Sequence, residues 1–121
     1  MNFQSLIWQE PWLTPVILNL QHIVKTEEIP TTAVTPNGKT LYYNPHFWRG
    51  LSKKEKIGVQ LHEMLHIVNL HIKRREHRNF EKWNIACDLA INYQIASSGY
   101  VLPKNALEGE NDTAEHIYEK L

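Results

Sequence analysis

Along residues 53–74 the apolar positions Ile57, Leu61, Met64, Leu65, Val68 and Ile72 recur three and four apart, the spacing of one buried face of an α-helix. Ser52 followed by Glu55 is a capping box and sets the start of that helix. Neither Gly nor Pro interrupts the pattern after Gly58, so it predicts a helix running to about Arg74. The polar run "KRREHRN" then makes a turn whose cations suit a helix C-terminus. A second helix, "FEKWNIACDLAINYQIA", follows and stops near Gly99. Upstream, residues 3–24 are apolar enough for one or two largely buried helices, broken near Pro11 and Pro15. Between these regions "IPTTAVTPNGKTLYYNP" alternates β-formers around Asn37-Gly38, which predicts a hairpin with a type I′ turn. Pro30, Pro36 and Pro45 argue against its growth into a large sheet. Asp112 and Glu115 make a second capping box, opening a short last helix. The expected architecture is one α+β domain over 1–121. It comprises an N-terminal helical segment (1–26), a β-hairpin (27–45), a pair of long antiparallel helices (52–98) and a C-terminal helix (112–121).

Composition narrows the function. Thirteen basic residues balance thirteen acidic ones, so no overall field recruits nucleic acid or an anionic membrane. The basic turn "KRREHR" reads as a solvated helix end. Cys87 is the one cysteine, so no internal disulfide forms. The N-terminus lacks a basic stretch ahead of its apolar run, which Glu10, Pro11 and Pro15 interrupt. It reads as neither signal peptide nor membrane span, and a cytoplasmic location is expected.

Chemistry enters with "LHEMLHIVNLHIKRREH", residues 61–77, which holds four of the seven histidines. Residues four apart on a helix are offset by only about 40°, so His62 and His66 can meet one metal ion. Glu63 lies about 100° around from His62, near enough to reach a water on that ion without ligating it. H-E-x-x-H on a helix thus supplies two nitrogen ligands for zinc and an adjacent base.

Catalytic zinc needs a third protein ligand and an open position. On an unbroken helix His71 points about 180° from His62 and about 140° from His66, and no glycine supplies a reversal. It is expected to pack or to support a ligand. Asp88 is better placed. If the helix pair turns near His77, His66 lies 11 residues before it and Asp88 11 after, so the two are level. Asn84, Asp88 and Asn92 also form a polar stripe on an otherwise apolar helix, which a metal with supporting amides would explain. Cys87 points about 100° away from Asp88 and is expected in the core.

The run "HEMLHIVNLHIKRREHRNFEKWNIACDLAIN", with "TPNGKTLYYNP" before it and "LP…TAEHIYEKL" after it, resembles the putative metallopeptidase domain found ahead of von Willebrand factor A-like domains in bacterial proteins. The resemblance spans about residues 27–121. It matches His71 and Arg74 to a further His and Arg, and Trp83, Asn84, Ala86, Asp88 and Asn92 to the family's second helix. It implies a zincin-like fold and a zinc peptidase, and it strengthens Asp88 as third ligand. An A-like domain is not expected after Leu121, so this would be a stand-alone, phage-like version, with a separate protein partner expected in that domain's place.

The combined expectation is a Zn2+-dependent peptidase. His62, His66 and Asp88 hold the metal, Glu63 is the general base, and the hairpin at Thr31–Tyr43 offers an edge to a peptide or protein substrate. The alternative is a zinc-stabilised, non-catalytic interaction module, closed by a fourth ligand such as His71 or Cys87. Tyr93, Tyr100, His116 and Tyr118 are the candidates for stabilising an oxyanion.

Overall fold

In the computed structural model, which describes residues 1–121, prolines divide the N-terminal region as their missing amide hydrogen requires. Helix α1 (Gln4–Gln9) stops before Pro11, which opens a 3-10 turn (Pro11–Leu13), and α2 (Thr14–Leu18) carries Pro15 in its first turn. His22–Lys25, expected inside the N-terminal helical segment, instead form strand β1. All four of its residues are exposed, so backbone pairing rather than side-chain burial holds it, and no alternating pattern marks it.

Strands β2 (Thr32–Val34) and β3 (Thr40–Tyr43) are antiparallel, as the hairpin expectation requires, and β1 adds in parallel on the other side of β3. The sheet order is β1-β3-β2, which leaves β2 on an edge. The turn differs from expectation. Only Gly38 has a positive φ, +68°, so the connection is not type I′, which requires positive φ at both central residues. It is a longer loop, in which Thr35 receives the hydrogen bond of Thr40 N–H and its own hydroxyl bonds to Asn37.

Asn44 caps α3 (Pro45–Arg49), accepting from the amides of His46 and Phe47, with Pro45 at the first helical position. The Ser52–Glu55 capping box opens α4 (Lys53–Val68) as expected. However, α4 does not reach Arg74. Leu70 adopts a left-handed conformation at φ 53° and ψ 36°, and the chain restarts as α5 (His71–Arg74). A non-glycine residue there costs about 1–2 kcal/mol. Local hydrogen bonds offset that cost: Asn69 Nδ2 donates to Leu65 O, and Arg74 Nη1 donates to Asn69 O. Ile72, expected on the buried face but lying beyond the break, is therefore exposed, and Val68 at the end of α4 is exposed as well.

Asn79 caps α6 (Phe80–Ser97), which ends before Gly99 at φ +85°. Helix α7 (Ala114–Lys120) is capped by Thr113, not by the expected Asp112. Asp112 is diverted to the Thr113 amide and to His116 Nδ1.

The main core joins Phe3, Leu6, Leu13 and Ile17 to Leu41, Tyr43, Leu61, Met64, Leu65, Ile91 and Ile95, so the N-terminal helices, the sheet, α4 and α6 share it. A second cluster seats α7 on α6 through Trp83, Ala86, Cys87, Ala90, Ala114 and Ile117. The segment after α6 crosses both long helices at glycines. A Cβ on Gly58 would lie 1.9 Å from Val101 O, and one on Gly109 would lie 2.0 Å from Tyr93 N. No helix is long and apolar enough to cross a membrane.

Candidate metal centre

Helix α4 presents His62 and His66 one turn apart, and α6 presents Asp88 and Asn92 in the same way. His62 meets Asn92 and Asp88, whereas His66 meets Asp88, so positions advancing on α4 pair with positions receding on α6. The two helices are antiparallel, with His66 level with Asp88. Three atoms converge. His62 Nε2 and His66 Nε2 are 3.0 Å apart, and Asp88 Oδ1 lies 3.1 Å from the first and 3.0 Å from the second.

The outer nitrogens of both rings are occupied. Asn92 Nδ2 donates to Leu107 O at 2.8 Å, which turns Asn92 Oδ1 toward His62 Nδ1 at 3.0 Å. His62 must then carry a hydrogen on Nδ1, and its Nε2 faces the triad. His66 Nδ1 lies 3.1 Å from His71 Nδ1. The break at Leu70 turns His71 back toward His66, correcting the expectation that it points away. Trp83 Nε1 holds the His71 carbonyl at 2.6 Å, and Arg74 pairs bidentately with Glu115, tying α5 to α7. His71 is 4% exposed, and burial followed by the neighbouring His66 and Arg74 pushes its pKa down to about 3. A neutral His71 can accept the His66 Nδ1 hydrogen, leaving His66 Nε2 free for the triad.

With both Nδ1 atoms committed, three electron-pair donors face one another across about 3 Å, an arrangement that needs a cation between them. Without a metal, protons serve. Burial opposes charge on His62, but the Asp88 hydrogen bond and the Glu63 and Asp88 charges raise its pKa. Burial likewise opposes charge on Asp88, yet hydrogen bonds from both histidines hold its carboxyl well below the usual range. A metal also fits. Ligand atoms about 2.0–2.2 Å from a tetrahedral ion lie roughly 3.3–3.6 Å apart, only a few tenths of an ångström wider than the triad. These three residues form the group that could hold an ion.

Glu63 does not join the triad. Its Oε1 receives the Thr32 hydroxyl at 2.9 Å, linking α4 to β2, and the residue is 5% exposed. It lines a cleft of ≈ 630 Å³ together with His62, His66, Asp88, β2 and the Leu102–Leu107 segment. None of Tyr93, Tyr100, His116 and Tyr118 lines that cleft. The Tyr100 hydroxyl bonds Glu10, the Tyr118 hydroxyl accepts from the Asn79 amide, and His116 pairs with Asp112. Cys87 is buried against α7, and burial pushes its thiol up to about 12. Leu107 as the anchor of Asn92, and Thr32 as the partner of Glu63, carried no signal in the sequence.

A family model described as a putative metallopeptidase domain matches residues 2–121, including the N-terminal helices that the sequence resemblance left out. No curated protein and no solved structure matches the chain.

Proposed function

The chain belongs to the putative metallopeptidase domain family, and from that premise we propose that it is a zinc-dependent peptidase of the zincin type, folded as one domain. The observation that carries this reading is the convergence of His62 Nε2, His66 Nε2 and Asp88 Oδ1 at a cleft that also holds Glu63. These three residues would hold the ion. Two imidazoles and one carboxylate suit zinc, as does a set of three that leaves a position open. Zinc, when bound, would polarise the scissile carbonyl and acidify the attacking water.

The chain's own residues do the rest. Asn92 and His71 fix the two rings so that both Nε2 atoms face inward, sparing the site the cost of orienting them. Glu63 Oε1 is held by Thr32, so Oε2 is the oxygen that takes the water's proton and later returns it to the leaving amine nitrogen.

The substrate is a peptide or protein segment lying along β2. Asn44 N–H bonds Thr31 O and Thr35 N–H bonds Thr40 O. Because an antiparallel ladder alternates, Thr31, Ala33 and Thr35 face β3, while the N–H and C=O of Thr32 and Val34 face outward. Thr31 to Val34 line the cleft, so an extended peptide can add there as a further strand.

What supports catalysis over a zinc-stabilised interaction module is the lack of a fourth protein ligand. His71 is engaged with the far nitrogen of His66, and Cys87 is in the α6–α7 core. A separate protein partner remains part of the proposal. The test is Glu63→Gln, which keeps the side chain's shape and removes its basicity. Zinc content should be unchanged, and cleavage of a mixed peptide library, read by mass spectrometry, should fall about 10²–10⁴-fold. Undiminished zinc-dependent cleavage by the variant would exclude Glu63 as the base.

A further inference from the structure

The polar stripe on α6 has three members, and two are spent on the site: Asp88 on the two histidines, and Asn92 between His62 and Leu107. Asn84 remains. It lies one turn before Asp88, is exposed, and lines the same cleft beside Ile72 and Phe80. The hydrogen bonds that fix the triad use neither the donor nor the acceptor of its amide.

Strand β2 and helix α6 both pack on α4 and flank the cleft. A peptide paired with β2 satisfies its backbone along one edge only. Because its N–H and C=O groups alternate in direction, every second residue turns that pair of groups away from β2. Left unpaired among apolar lining residues such as Phe47, Val59, Ile72 and Phe80, those groups would weaken binding. A carboxamide offers both an acceptor and two donors, so one asparagine can meet both. Asn105 also lines the cleft, but it sits on the irregular segment between α6 and α7, whereas Asn84 is fixed by a helix one turn from the triad.

We propose that Asn84 is a substrate-positioning residue that bonds the main chain of a bound peptide on the side away from β2. The site would then select extended polypeptide over small amides, since a small amide has no backbone to reach Asn84. This inference rests on the peptidase reading.

The experiment uses zinc-loaded protein and two calorimetric probes, a tripeptidyl hydroxamate and acetohydroxamate, which share the zinc-binding group and differ in the peptide. Wild type should prefer the peptidyl probe. Asn84→Ala should lose at least about five- to tenfold in affinity for that probe alone, the worth of one of its two neutral hydrogen bonds. Its zinc content and acetohydroxamate affinity should be unchanged, and Asn105→Ala should stay within about twofold of wild type for both probes. Unchanged peptidyl affinity in Asn84→Ala would overturn the proposal, as would equal losses for both probes, which mark a structural role. A loss confined to Asn105→Ala would also overturn it. If wild type shows no preference for the peptidyl probe, the peptide reading itself fails and this inference falls with it.

Discussion

His66 presents one ring nitrogen to the triad and the other to His71, so its neighbours on the two sides do different work. Asp88 contributes an atom at the convergence point, and His71 acts only through the ring it orients. Asp88→Ala should therefore weaken zinc binding more than His71→Ala. Losing an orienting partner costs about 10–100-fold in metal affinity, and losing a ligand should exceed that. Competition with a chromogenic chelator measures both, and the reverse order would show that His71 is the ligand. At this scale the sequence was legible where helical phase decides. The alignment of His62 with His66 and the offset of Glu63 follow from residue spacing, whereas Asp88 lies level with His66 as expected although the helix along which that level was counted breaks at Leu70. His71 was not legible, because its position depends on Leu70 accepting a left-handed backbone. That conformation is held by Asn69, Arg74 and Glu115, the last of them 41 residues from Arg74.

Among the elements, α4 shows how a local rule can change sign in context. Gly58 lies within this helix, where Gly→Ala is ordinarily stabilising by about 0.8–1.0 kcal/mol. Here the added Cβ would meet Val101 O at 1.9 Å, and that atom is backbone in the segment leading to the cleft wall. Gly58→Ala should instead destabilise the protein by about 1–3 kcal/mol, the range for overpacking a close contact. Denaturant unfolding at matched metal content checks the sign, and a stabilised variant would show that the segment moves aside freely. The capping box of α4, the start of α6 at Phe80 and the existence of a hairpin were readable, because each is set within a few residues. Strand β1 was not, because only its partner β3 makes it a strand. The loop at Asn37-Gly38 departs from a two-residue turn for a related reason. Gly38 packs against α4, where a Cβ would come within 3.1 Å of Ile67 Cγ2.

For the whole molecule, the N-terminal helices are built into the core on which the site rests. Phe3, Leu6, Leu13 and Ile17 pack with Leu61, Met64 and Leu65 of α4, which explains why the family match extends to residue 2. The other face of α4 carries the histidines. Sheet, helices and the 99–112 segment thus converge on one cleft, and the account stands or falls on what occupies its triad. The most direct test is an anomalous-scattering map of crystals grown without chelator, recorded on both sides of the zinc absorption edge. The account predicts one zinc peak per chain within about 2.0–2.2 Å of His62 Nε2, His66 Nε2 and Asp88 Oδ1, with no fourth protein ligand. A metal-free triad in protein with full zinc content, or an ion enclosed by four protein ligands, would contradict it.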